Sequence, residues 1–162
     1  MVSKYPDPAG MFSSSSQRCF DGIGVLNIDN KYIFTCWEAK FLKSLSAFSL
    51  KMVEPHQDAY LRAYAECENI QTLVILGIDI DRSDKRAYVF DWNQLSPLYQ
   101  VGFSFHKKFL DNLPYNPIKK GKFEFNNIIN KEDIKKVYGK SIEVIIEEEK
   151  LKNKEFKTGL QT

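Results

Sequence analysis

The chain has 162 residues, 43% of them hydrophobic and 14% aromatic, which suits one domain with a packed core. Its 23 Lys and Arg against 21 Asp and Glu leave a formal charge of +2, so bulk charge gives no argument for nucleic acid, and a DNA-binding face would have to come from local clustering. Cys19, Cys36 and Cys67 show neither Cys-x-x-Cys spacing nor a dense disulfide pattern, and the longest strongly apolar run, Thr72–Ile80, is far short of a membrane span. No charged and then apolar leader opens the chain, so the expectation is a soluble cytoplasmic protein with no membrane partner.

Residues 1–20, with Pro6, Pro8, Gly10 and the run Ser13–Ser16, carry no hydrophobic period and predict a loop or arm. Two strand-like runs follow. Gly22–Ile28 is rich in Ile, Val and Leu, and Tyr32–Ala39 carries Tyr, Ile, Phe, Thr and Trp, residue types that pack on a pleated surface. Asp29-Asn30 between them tolerates left-handed geometry and predicts a tight hairpin turn. With those two residues central, Ile28 pairs with Lys31 and, by the same count, Asp21 stands directly opposite Glu38.

Like charges so placed destabilise a sheet. A hard divalent cation offsets that cost, since Mg²⁺ takes oxygen ligands and is held by one or two carboxylates plus water and phosphate. Lys40, two residues past Glu38, projects from the same face and is placed to orient a water or balance phosphate charge. A one-residue change of turn length makes the acidic pair diagonal or moves it to opposite faces; the plain alternative to a site is a solvated polar stripe.

Phe41–Met52 shows no clear period and reads as a connector. Glu54-Pro55 starts a helix, proline being tolerated in the first turn. Gln57, Tyr60, Leu61, Tyr64 and Cys67 or Glu68 fall at helical spacing and predict a face packed on the sheet. His56 has no second histidine or cysteine at metal-ligand spacing. Thr72–Ile80 is a near-continuous apolar run, expected as a buried strand at the sheet centre, with Asp79 and Asp81 marking its exit. Ala87–Trp92 returns antiparallel, and Asn93–Leu98 turns away because Pro97 cannot join a ladder.

Val101–Lys122 interleaves Phe103, Phe105, Phe109 and Tyr115 with Lys107, Lys108, Lys119, Lys120 and Lys122. Lysines contact phosphates and aromatics can stack bases, so Lys107 and Lys108 are candidate DNA contacts; a solvated face above core aromatics is the alternative. Lys131–Tyr138 predicts a helix with Gly139 as its C-cap. Ile142–Ile146 fits a short strand or a helix continuing through the charged residues after it. The resulting division is an arm over 1–20, a single domain over 21–146 and a charged tail over 147–162.

A resemblance extends beyond the Glu-x-Lys motif. Asp21-x-x-Gly24-Val25, the Asn30-Lys31-Tyr32 turn, Trp37-Glu38-Ala39-Lys40 and His56-Gln57 opening a helix resemble the core of RecU-type Holliday-junction resolvases, of the PD-(D/E)XK nuclease superfamily. The likeness covers roughly residues 20–96. It implies an α/β, restriction-endonuclease-like core: a central mixed sheet with a leading antiparallel hairpin, flanked by helices. It further implies Asp21 and Glu38 as ligands of Mg²⁺ or Mn²⁺, Lys40 and Gln57 as catalytic partners, and a homodimer cutting four-way DNA junctions in recombination and repair. RecU-like proteins carry a first helix and a projecting stalk before the catalytic aspartate, where this sequence has the arm. Another DNA nuclease of the superfamily, restriction-like or from a phage, and a catalytically inactive DNA-binding relative stay open beside it.

Overall fold

The structure is a computed structural model that describes residues 2–4 and 20–159. The expected arm over residues 5–19, with the serine run and Cys19, lies outside the described residues, as do residues 160–162. In chain order come β1 (Val2–Lys4), β2 (Gly22–Ile28), β3 (Lys31–Leu42), β4 (Phe48–Ser49), a 3-10 turn (Leu50–Met52), α1 (Pro55–Ala65), β5 (Ile70–Asp79), β6 (Lys85–Asp91) and α2 (Trp92–Gln100). The chain continues through β7 (Ser104–Phe105), α3 (Lys107–Leu110), β8 (Asn116–Pro117), α4 (Lys131–Tyr138) and α5 (Ile142–Gly159).

Six of the strands form one mixed sheet in the order β1-β2-β3-β5-β6-β8. The leading hairpin has the predicted register, Ile28 opposite Lys31 and Gly22 opposite Trp37. Asp29 and Asn30 sit at φ 50° and 61°, the positive pair that a two-residue turn needs to match strand twist. α1 then carries the chain over so that β3 and β5 run parallel, with Glu38 level with Val74 and Lys40 with Leu76. β6 returns antiparallel to β5. β5 therefore lies inside the sheet, and Leu73, Val74, Leu76 and Ile78 are fully buried, as an apolar run covered on both faces requires.

The two faces of the sheet are covered differently. On one, Cys36, Val74, Leu76, Ile78, Tyr88 and Phe90 meet side chains from the helices, among them Leu61, Leu95, Leu110, Ile134 and Ile145. On the other, Trp37, Leu73, Ile75 and Val89 are covered by Phe123, Phe125 and Ile128 from the irregular stretch after β8. Gly22 belongs to this second face. A Cβ there would come within 2.1 Å of the Trp37 ring, so only glycine lets the indole lie over β2.

Helix α1 is tied down by Asp58. Its carboxylate is 1% exposed and accepts hydrogen bonds from Trp92 Nε1 at 2.9 Å, Arg62 Nε at 2.8 Å and Gln100 Nε2 at 3.2 Å, which joins α1 to α2. Three donors on one carboxylate balance the cost of burying it.

Several expectations need correction. Val2–Lys4, expected as arm, is an edge strand on β2, with Val2 opposite Gly24. Asn93–Leu98 is helix, not turn: Asp91 caps it by accepting from Gln94 N, and Pro97 lies inside α2. The apolar residues of α1 do not all pack on the sheet, since Leu61 is buried but Tyr60 and Tyr64 are exposed. The proposed boundary at residue 146 falls within α5, which is helical through Gly159, so Ile142–Ile146 is not a strand. Among the described residues no helix is long and apolar enough to cross a membrane.

Candidate active site

The site forms where the leading hairpin meets the start of α1. Along β3 every second residue faces the helices, so Cys36, Glu38 and Lys40 share that face, while Trp37 points to the other. Asp21 stands just before β2. The expectation placed it in the ladder opposite Glu38, but regular pairing stops at Gly22 and Trp37. Asp21 N donates to Trp37 O at 2.9 Å, and its own carboxylate, through Oδ2, accepts from Ala39 N at 2.9 Å. The side chain thus takes over a ladder position and is fixed beside Glu38.

The first turn of α1 supplies the fourth group. Glu54 is the N-cap, Pro55 the first helical residue, and Gln57 the third. Gln57 Oε1 accepts from Glu54 N at 2.9 Å, an N-terminal bond that satisfies one orphan donor and orients the amide. The same oxygen accepts from Lys40 Nζ at 2.9 Å, and Gln57 Nε2 donates to Glu38 Oε1. Lys40 Nζ donates to Glu38 Oε1 at 3.0 Å. Asp21 from just before β2, Glu38 and Lys40 from β3 and Gln57 from α1, 36 positions apart at the extremes, form one cluster.

Glu38 is 3% exposed, and its carboxyl is held above the ordinary glutamate range. Burial is the largest cause; Lys40 opposes it by hydrogen bond and by charge, and Asp21 adds to it by charge and by contact. One lysine therefore faces two acids. Asp21 Oδ1 and Glu38 Oε2 take no hydrogen bond from a nitrogen or hydroxyl donor of the described residues. Carboxylate oxygens are the donors that Mg²⁺ or Mn²⁺ takes from protein, the other positions going to water and phosphate. Among the described residues no group of three or more His, Cys, Asp or Glu that could hold a metal ion forms.

Lys107 and Lys108 are exposed on α3, and neither is bonded to the cluster among the described residues. The aromatics interleaved with them are not free to stack on bases. Phe103 and Phe105 are core residues, Phe109 stacks on Tyr138 at 4.0 Å between ring centroids, and Tyr115 packs on Tyr88. Asp79 and Asp81 close the β5–β6 turn as expected: Asp79 pairs with Lys85, and Asp81 Oδ1 accepts from Ser83 and Asp84. Sequence reasoning missed the main-chain N–H of Ala39 and of Glu54, which hold Asp21 and Gln57 in place. A strand-end acid and a Glu-Pro-x-Gln helix start are the signals that suggest them.

No protein-family model matches the chain, and no curated protein matches it significantly.

Proposed function

We propose that this protein is a metal-dependent endodeoxyribonuclease with a restriction-endonuclease-like core, similar to RecU-type resolvases, hydrolysing phosphodiester bonds of branched DNA. The observation that carries this reading is the buried Glu38 in contact with Asp21, with Lys40 and Gln57 locking the arrangement. An acid before one strand, Glu-x-Lys on the next and an amide from the following helix are the parts the sequence likeness calls for.

Asp21 and Glu38 would hold Mg²⁺ or Mn²⁺, which when bound supplies Lewis acidity toward the phosphate and eases deprotonation of the attacking water. Lys40 has three protons on Nζ, of which Glu38 and Gln57 take two. The third is available for a phosphate oxygen, where negative charge grows in the transition state, or for orienting the water. Gln57 keeps Glu38 and Lys40 in register, and its anchor at the Glu54 N–H means that the helix start, not a mobile loop, sets the geometry. Two symmetric incisions in a junction need two sites related by a two-fold axis, so the working form in this proposal is a homodimer. Lys107 and Lys108 remain proposed phosphate contacts.

The test is incubation of the purified protein with labelled four-way junction, duplex and single strand, with and without Mn²⁺. Incision that depends on the metal, favours the junction and is lost in Glu38→Ala and Lys40→Ala is the expected result. DNA binding without any incision would instead make the chain a binding module, and neither binding nor cutting would make the cluster structural.

A further inference from the structure

A second set of like charges faces across a ribbon at the far edge of the sheet. After β8 the chain makes a tight turn in which Lys119 and Lys122 are directly opposite and exchange both main-chain bonds, at 2.8 and 3.0 Å. Lys120 and Gly121 are its central residues, at φ 52° and 72°. That turn type favours Asn-Gly, and a lysine in left-handed backbone is strained there. Lys119, Lys120 and Lys122 are all exposed, and none has an ion-pair partner or a side-chain hydrogen bond among the described residues. The turn thus combines two costs, a like-charge cross-strand pair and an unfavourable backbone residue, with no acidic partner for the lysines among the described residues. Beside it is a groove of about 570 Å³ lined by Pro117, Lys119, Lys122, Phe123, Glu124 and Asn126, in which Glu124 is engaged by Asn126.

The register places this turn relative to the acid cluster. Asn116 pairs with Ala87, Ala87 with Gly77 and Gly77 with Phe41, the neighbour of Lys40. From there Ile118 continues alongside Lys85, toward the end of the sheet where β3 finishes. Three strand spacings sideways and a few residues lengthwise put the lysines roughly 20 Å from Lys40. At 3.4 Å per base pair that is about six base pairs along a duplex.

We propose that the Lys119–Lys122 turn is a docking element for the phosphate backbone of duplex DNA, holding an arm of the substrate about half a helical turn from the bond that is cut. The inference rests on the nuclease reading for the choice of DNA as the polyanion. Lysines on a turn neutralise phosphates without reading bases, so the turn supplies affinity and placement and leaves sequence preference unchanged.

The experiment is equilibrium binding of a fluorescently labelled duplex a few turns long across a salt series, with Ca²⁺ replacing Mg²⁺ so that strands stay intact. The full chain is compared with the triple variant Lys119→Ser, Lys120→Asn, Lys122→Ser, in which asparagine suits the left-handed position. Affinity at low salt should fall about tenfold or more, and the slope of log K against log salt should shrink by about two to three. Lys122→Glu sets opposite charges across the turn, so its melting temperature should rise while its DNA affinity falls. Unchanged affinity and slope in the triple variant would overturn the proposal. Turn-dependent binding by a chain that never cuts in Mg²⁺ supports the docking element and removes the nuclease reading. Cutting with turn-independent binding does the opposite, and a chain that binds no duplex overturns the docking element while the nuclease reading is decided by incision of the junction.

Discussion

Residues 57 and 58 are neighbours on α1, yet they serve two buried carboxylates with opposite balances. Asp58 looks into the helical layer, where an indole, a guanidinium and an amide each donate to it, so its charge is matched on the spot. Gln57 reaches the other way, to Glu38, whose donors are one lysine and one amide and whose neighbour is a second acid. A fold that can surround Asp58 with donors has no general difficulty in satisfying a buried acid. The shortfall at Glu38 and Asp21 is therefore local and specific, and a divalent cation is what the proposed function would supply there.

The largest effect should separate the two acids by function. Glu38→Gln preserves shape and hydrogen bonding but removes the charge, so DNA incision should fall by about a thousandfold or more while the melting temperature holds or rises. A lost fold in that variant would mean that the charge is structural, as at Asp58. The next effect is the mirror image. Asp58→Ala leaves Trp92 Nε1 and Gln100 without their acceptor and should cost about 2–4 kcal/mol, read as a lower urea midpoint.

A third carboxylate tests the same logic through pH. Asp91 is buried, and its carboxyl is pushed above the ordinary aspartate range chiefly by burial, with Gln71, Gln94 and Asn93 pulling it down. Its folded pKa is above its unfolded one, so the folded state holds the proton more tightly. The stability this gives is present below the ordinary aspartate range and is lost as pH rises through the raised value. Asp91→Asn, which can still cap α2, should flatten that part of the curve of urea stability against pH. The smallest effect concerns Cys36, on the same face of β3 as Glu38. Burial first, and then the nearby Cys67, push its thiol up to about 12. Alkylation of the native protein at pH 8 should therefore label the exposed Cys67 and spare Cys36, as read by peptide mass mapping.

The parts legible in the sequence were those governed by neighbours in the chain. Asp29-Asn30 set the hairpin register, Glu54-Pro55 the start of α1, and the unbroken apolar run of β5 its place between two strands. These also fixed most of the candidate cluster, because the face of Glu38 and Lys40 follows from alternation once the turn is known. What was not legible depends on distant partners. Asp21 lies past the ladder, held by the Ala39 N–H, a main-chain donor that has no signature of its own. Asn93–Leu98 reads as a turn because of Pro97, yet it lies within the helix Trp92–Gln100: Asp91 caps it, and Trp92, Leu95 and Leu98 bury one side of it. Phe103, Phe105 and Phe109 looked available beside Lys107 and Lys108, but burial against α4 and the sheet consumes them.

The cation claim has a direct test that needs no knowledge of the DNA substrate: thermal melting of the wild type, Asp21→Asn and Glu38→Gln with increasing Mn²⁺. An ion that binds only the folded state raises its melting temperature with concentration. The expected result is a concentration-dependent rise in the wild type that is absent from both variants. An equal rise in all three proteins, or none in the wild type, would contradict a metal site between Asp21 and Glu38.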